Sequence, residues 1–314
     1  MLINRNGYGS NFNVLQRVNN KIIKKSKNSY GDEKIENEIN FYRYILNQQN
    51  GFCVYVPKIH KIVETEHIIE MEYLDEYSPL YLHFPSYSKE KKRECLKSIM
   101  DALLTLHNTS IPIDKSEFEN DLWLETKTKI KSRTSPIFSI IQNYDFIQSV
   151  NHTNIQPFWK IINKIEENVK DYMNNPKLVY EYGMIHGDCQ FNNIMINNDG
   201  DLKFIDPRGY YGTSRIYGLV DYDLAKICFA LSGYDQFDNN TIKELNMRGY
   251  NIDIDFEIEK ENETFIREQS TIVKTLMCAI WLGNAHIFQE DKNKCVTSYF
   301  IAMFMCSKFL TFNT

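Results

Sequence analysis

No two cysteines of this chain stand at Cys-x-x-Cys spacing, and the seven present (Cys53, Cys95, Cys189, Cys228, Cys278, Cys295 and Cys306) are scattered and odd in number. That pattern argues against both a disulfide framework and a zinc site, and it suits a reducing cytosol. An excess of positive charge is missing too. Lys and Arg number 36 against 41 Asp and Glu, a formal net charge of −5, so no overall charge draws the chain to nucleic acid or anionic lipid. The longest apolar run, residues 299–306, falls well short of the ~20 residues of a membrane span. The first residues, Met1-Leu2-Ile3-Asn4-Arg5-Asn6, lack the apolar stretch of a secretory signal. The expectation is a cytoplasmic protein with no nucleic-acid partner and no membrane insertion. Nothing in the sequence speaks to its oligomeric state.

What the sequence does have is material for a core. Apolar residues make up 43% of the 314, enough for one large domain or two lobes. Over the first 75 residues, β-prone pieces fall at 1–4, 13–18 and 21–25, the last two joined by Asn19-Asn20. A helical stretch follows over 32–47, with Ile35, Ile39, Tyr42 and Leu46 on one face. Two more strands are predicted at 58–63 and 68–73. Beyond Asp75 the pattern turns mostly helical, with apolar stripes over 91–107, 158–173 and 270–286 that read as core faces. Residues 108–155 carry no readable pattern.

The chemistry concentrates between Ile185 and Asp206. Ile194-Met195-Ile196 and Leu202-Lys203-Phe204-Ile205 are short apolar strands around an Asn-Asp-Gly turn, which makes a hairpin. A hairpin sets the residue before its first strand beside the residue after its second. Here those are Asn193 and Asp206, an amide oxygen and a carboxylate suited to Mg²⁺, which binds few protein ligands and keeps phosphates and waters. Asp188 enters the same loop and suits the acceptor of a proton from an attacking hydroxyl. His186 reads as a brace for that loop, with general base as the alternative.

His186-Gly187-Asp188 with Asn193 five residues on and Asp206 eighteen residues on resembles the catalytic and metal segments of protein-kinase-like phosphotransferases. Gly187 and Gln190 set it apart from protein kinases and make it similar to the aminoglycoside phosphotransferase and choline kinase branch. That resemblance implies an α+β, bilobal protein-kinase-like fold. Its N-lobe, residues 1–74, would hold a five-stranded antiparallel sheet and bind nucleotide; residues 75–314 would form a mostly helical C-lobe.

By the same resemblance, Gly7, Gly9 and Ser10 belong to a loop covering the phosphates of ATP or GTP, whose donor role Mg²⁺ would assist. Lys24 is the phosphate-pairing lysine, preferred over Lys25 because strand alternation sends the two to opposite faces. Glu38, on the inward side of its helix, is the lysine's partner, whereas Glu36 lies on the polar side. Glu72 and Leu74 flank a hinge that would bind the base through backbone groups. Asp223, in Tyr222-Asp223-Leu224-Ala225, reads as a helix N-cap and, by resemblance, would hold the catalytic loop. The segment Ile205-Asp206-Pro207-Arg208-Gly209 resembles phosphotransferases of bacterial capsule or surface-polysaccharide gene clusters, and Arg208 could bind an anionic substrate or phosphate. A small-molecule hydroxyl acceptor is implied: a sugar, polyol or surface-polysaccharide precursor first, and choline, ethanolamine or an aminoglycoside second. An inactive pseudokinase is the rival of another class, and it would be expected to lack at least one of Lys24, Glu38, Asp188, Asn193 and Asp206.

Overall fold

Residues 13–18 and 21–26 meet at a tight turn in which Asn19 takes a left-handed φ of 53°, a conformation asparagine tolerates better than most side chains. The computed structural model describes residues 12–48, 50–239 and 246–312. In it β1 (Asn13–Val18) and β2 (Lys21–Ser26) form that hairpin, followed by α1 (Ser29–Asn47), β3 (Ile59–Val63) and β4 (Ile68–Glu72). The four strands make one antiparallel sheet in the order β1-β2-β4-β3. The sequence predicts five strands here. Four are found among the described residues, and the fifth, at residues 1–4, lies outside them.

Helix α1 starts three residues earlier than its apolar pattern suggests. Asn28 caps it, its Oδ1 accepting from the Gly31 N–H at 2.9 Å, which satisfies one of the amides a helix start leaves open. Ile35, Glu38, Ile39, Tyr42 and Ile45 recur at three- and four-residue spacing and are all buried. Glu38 is the one acid on that inward stripe.

Contacts divide the chain into two compact units, Met1–Pro112 with Glu181–Asp223, and Ile113–Tyr180 with Leu224–Thr314. In the first, α2 (Lys89–His107) follows the sheet, and the predicted hairpin forms between Ile194–Ile196 and Leu202–Phe204. Ser78–Pro79 adds to it as a third strand. Leu202 and Phe204 are buried, while Lys203 between them reaches the carbonyls of Val54 and Val56 at 2.8 and 3.1 Å. A second three-stranded sheet joins Ser110–Pro112, Glu181–Met184 and Tyr217–Gly218. It departs from a purely helical expectation for this region, because strands of two to four residues are too short for alternation to register.

The second unit is mainly helical. Phe158–Met173 and Thr271–Leu282 are joined by a buried bond from Asn168 Nδ2 to Thr275 Oγ1 at 3.0 Å. Trp281 lies among Phe229, Tyr234 and Phe237 and donates to Ser232 Oγ at 2.8 Å. The window Thr271–Phe288 is long and apolar enough to count as a membrane span by composition, but 72% of it is buried inside the protein, as a core helix is. Residues 108–155 hold short helices such as Lys115–Trp123 and Lys129–Thr134, then two strands that pair with each other, the first of them also with a strand about a hundred residues later.

One buried carboxylate fixes the loop that carries His186 and Asp188. The helix Asp221–Leu231 begins two residues before Asp223, so Asp223 is not the N-cap that the sequence suggests. Its Oδ2 accepts from the His186 N–H at 2.9 Å and pairs with His107 Nε2, at the end of α2, at 3.0 Å. Its Oδ1 accepts from the Gly187 N–H at 2.7 Å. Burial alone would raise the pKa of this acid, but the hydrogen bond and charge of His107, with help from His186, hold it below the ordinary range. An acid held low stabilises the fold above its ordinary value of about 3.9, and the contribution fades as pH falls through the depressed value. Asp223→Asn should therefore cost about 3 kcal/mol in denaturant unfolding at pH 7. It should also flatten the acid-side loss of stability expected of the wild type below about pH 4. Unchanged unfolding midpoints at pH 7 would rule out this anchoring role.

Candidate active site

Strand β2 lies between β1 and β4, with Lys24 opposite Leu15 on one side and Ile69 on the other. Alternation buries Lys24, at 6% exposed, and leaves Lys25 at the surface. The Lys24 ammonium donates to Glu38 Oε2 at 2.5 Å and to Asp206 Oδ1 at 2.7 Å. Glu36 is exposed on the other side of α1 and lies 3.7 Å from Arg215. The choices of Lys24 over Lys25 and Glu38 over Glu36 thus match where these side chains lie. Burial alone would lower the pKa of Lys24, but Asp206 and Glu38 outweigh it and raise it. Glu38 is pushed up to about 7 by burial, with the charge of Asp206 adding to the rise and Lys24 opposing it. One cation serves two carboxylates, and the second of them, Asp206, is partly open to solvent.

The catalytic-loop residues gather at the same end of the hairpin. The Ile205 N–H donates to the Asn193 carbonyl at 2.9 Å, which closes the hairpin and sets Asn193 beside Asp206. Asn193 Nδ2 donates to the Asp188 carbonyl at 2.9 Å and to Asp188 Oδ2 at 3.0 Å. With its nitrogen used on Asp188, the amide's oxygen is the atom left for a cation. Asp206 takes a φ of 56°, a left-handed conformation that costs a non-glycine residue energy and turns its carboxylate toward Lys24. No group of three His, Cys, Asp or Glu side chains suited to a metal exists among the described residues. The oxygens of Asn193 and Asp206 nevertheless fit Mg²⁺, which takes one or two protein ligands and completes its shell with phosphates and waters.

His186 is fully buried and lies edge-on to Phe41 and Phe204, 5.9 and 5.8 Å away. Its Nδ1 accepts from the Asp188 N–H at 3.3 Å. Burial lowers its pKa against the pull of Asp223, Asp188 and Asp206, which keeps the ring neutral. This geometry suits a brace better than a base. Gly187 takes a φ of 75°, and a Cβ there would meet the Arg208 Cβ at 2.9 Å, so only glycine fits this approach. Arg208 donates to Tyr222 Oη at 2.8 Å, and its guanidinium lies 4.0 Å over the Tyr210 ring. Its backbone N–H donates to the His186 carbonyl at 2.8 Å.

Glu72 ends β4, its N–H donating to the Lys58 carbonyl at 2.8 Å, and the carbonyl of Leu74 accepts from Tyr77 N–H at 3.3 Å. Gly7, Gly9 and Ser10 lie outside the described residues. Every other predicted site residue belongs to the first compact unit. Two residues of the site, Tyr42 buried and His107 half-buried, escaped the sequence. His107 gave no signal beyond closing a helix. Tyr42 was readable only as part of an apolar stripe, although its spacing four residues after Glu38 places the two on one helix face.

A family model described as the phosphotransferase enzyme family, APH, matches residues 4–251. No curated protein matches the sequence. Among solved structures, the ADP-bound aminoglycoside phosphotransferase APH(2'')-Ib has a TM-score of 0.54 at 12% identity, over 99% of this chain and 94% of that one. The gentamicin complex of APH(2")-IIa has a TM-score of 0.53 at 14% identity, over 98% and 92%. Choline kinase LicA from Streptococcus pneumoniae has a TM-score of 0.51 at 16% identity, over 94% and 89%. At such identities these likenesses speak for the kinase-like fold alone. The family match, which spans most of the chain, reaches further: this chain belongs to the APH phosphotransferase family and is a small-molecule phosphotransferase.

Proposed function

We propose that the protein is a kinase that moves the γ-phosphoryl group of a Mg²⁺-bound ATP or GTP to a hydroxyl of a sugar, polyol or surface-polysaccharide precursor. The observation that carries this reading is the joining of Lys24, Glu38 and Asp206 by two ion pairs, with Asn193 hydrogen-bonded to Asp188 at the adjoining hairpin end. In this reading residues 1–74 form the nucleotide-binding lobe and 75–314 carry the catalytic loop and acceptor site, with the backbone of Glu72 and Leu74 facing the base. Lys24, steered by Glu38, pairs with the donor's phosphates. Asn193 and Asp206 would hold Mg²⁺, which would neutralise charge on the donor's phosphates.

Asp188 orients the acceptor hydroxyl and takes its proton as the oxygen bonds to the γ-phosphorus. The bond from that phosphorus to the β-bridging oxygen breaks, and the nucleoside diphosphate leaves. Half-exposed and fixed by the Asn193 amide, Asp188 is aimed without being sealed from substrate. Arg208, held by Tyr222 Oη and lying over the Tyr210 ring, is the candidate contact for an anionic acceptor or a phosphate.

A cationic acceptor such as choline, ethanolamine or an aminoglycoside is the second reading, favoured by the known acceptors of the structural neighbours. It calls for unspent acids near the acceptor. Of the acids in residues 253–263, Asp253 lies 3.4 Å from Arg248, and Glu263 lies 2.7 Å from both Arg267 and Lys308. An inactive binding module is disfavoured because Lys24, Glu38, Asp188, Asn193 and Asp206 are all in place.

Nucleotide consumption should be followed with Mg²⁺ and ATP or GTP against sugars, polyols, amino alcohols and aminoglycosides. Acceptor-dependent turnover is expected, and Asp188→Asn should lower it by about 100-fold or more with the fold intact. Asp206→Asn should also abolish most turnover, because it removes a carboxylate from the metal. Near-normal rates in either variant would defeat these assignments. Lys24→Met should weaken nucleotide affinity by roughly tenfold or more, the loss of a charge-assisted phosphate contact; calorimetric titration with ATP and GTP reads this directly.

A further inference from the structure

Two buried polar atoms near the Lys24 pair have no hydrogen-bond partner among protein atoms: the second oxygen of Glu38, Oε1, and the hydroxyl of Tyr42. Both belong to α1, one turn apart, and both residues are buried, at 3% and 0% exposed. The phenol lies beside the Glu38 carboxylate and the backbone N–H of Asp206. Left unpaired, a phenol and a carboxylate oxygen in one dry place would each cost about 1–3 kcal/mol, a cost that the two avoid by meeting each other. A phenylalanine at position 42 would fill the same space without that cost. The hydroxyl therefore calls for a role, and its neighbours say which one.

We infer that Tyr42 is a positioning residue for the nucleotide-phosphate site, its hydroxyl donating to Glu38 Oε1 and accepting from the Asp206 N–H. The inference rests on the reading of Lys24 and Glu38 as the phosphate-holding pair. Four contacts close into a ring. Lys24 joins Glu38 Oε2 to the Asp206 side chain, and Tyr42 joins Glu38 Oε1 to the Asp206 backbone. With only the lysine, the Glu38 carboxylate could swing about its last torsion, a broad and soft one. Held at both oxygens, it presents one fixed face to the ammonium. Held by its own N–H, Asp206 keeps the left-handed backbone that aims its carboxylate at Lys24. When a phosphate draws Lys24 from Asp206, Tyr42 remains as the contact that fixes both acids in place. The charged groups facing this point are Lys24 from β2 and Asp206 from the hairpin's end.

The experiment is a double-mutant cycle in nucleotide affinity, with Mg²⁺-ATP and Mg²⁺-GTP as probes, on wild type, Tyr42→Phe, Glu38→Gln and the double variant. Tyr42→Phe should keep the wild-type melting temperature within a few degrees and weaken the nucleotide by about tenfold, about 1.4 kcal/mol. In the Glu38→Gln background it should add almost nothing, because its action runs through that carboxylate. Where turnover is measurable, KM for the nucleotide should rise while KM for the acceptor stays put. Wild-type affinity in Tyr42→Phe would overturn the inference, as would two losses that simply multiply. Binding of neither nucleotide by the wild-type chain would instead overturn the phosphate-pair reading, and this inference with it.

Discussion

A single ammonium holds together groups that are remote in sequence. Lys24 meets Glu38 from the neighbouring helix and Asp206 from beyond the hairpin, 182 residues away in the chain. Taking an isolated lysine or glutamate out of water costs several kcal/mol, which only a well-made pair offsets. Neither Lys24 nor Glu38 could therefore be so deeply buried without the other. The third member differs, because Asp206 is partly exposed and could be solvated by itself. The arrangement is thus one buried pair with a second acid on loan. Whatever cation or phosphate approaches from the open side competes for Asp206 and for Lys24 without dismantling the Glu38 contact.

The rest of the first unit holds that triad still. Asp206 depends on the hairpin, whose register sets Ile194 opposite Phe204 and Ile196 opposite Leu202. The hairpin depends on a core in which Phe204 meets both Phe52 and the His186 ring. His186 and Gly187 in turn give their backbone amides to Asp223. That last step passes through a buried acid with three donors in place, and such a network defines one geometry rather than several. Asp188 hangs at the end of this series, fixed by its own backbone and by Asn193, with its carboxylate left partly open.

Much of this was legible in the sequence because the informative signals were local. Asn193 and Asp206 are thirteen residues apart across a turn rich in Asn, Asp and Gly, and hairpin geometry alone brings them together. The choice of Lys24 over Lys25 followed from alternation, and Glu38 over Glu36 from helical spacing. What was illegible depends on long-range pairing. The strands Ser149–Val150 and Asn251–Asp253 pair across about a hundred residues, and each is too short to show a period. Asp223 was expected as a helix N-cap and was found within the first turn, because three donors brought by other elements decide its place. Tyr42 was hidden for a different reason. On a helix wheel it counts as one more apolar residue, and only its neighbours in space give its hydroxyl a meaning.

The segment after Asp206 bears on how such a site would be regulated. In place of an Asp-Phe-Gly sequence it runs Asp206-Pro207-Arg208-Gly209, and proline fixes one backbone angle where a switch would need freedom. The segment is also fastened to α1. A Cβ on Gly209 would meet the Asn37 carbonyl at 2.3 Å, Lys34 Nζ bonds to Tyr210 Oη at 3.0 Å, and Tyr44 meets Tyr217 through their hydroxyls. These contacts fall along the length of α1, so the helix cannot swing Glu38 away from Lys24 without breaking several at once. Burial of Glu38 raises its pKa to about 7, and a helix left loose would relieve that strain by rotating the acid toward water. The fastenings oppose the relief. The energy stored in a desolvated carboxylate is thereby kept at the place where Lys24 needs a partner, and the site is assembled before any substrate arrives.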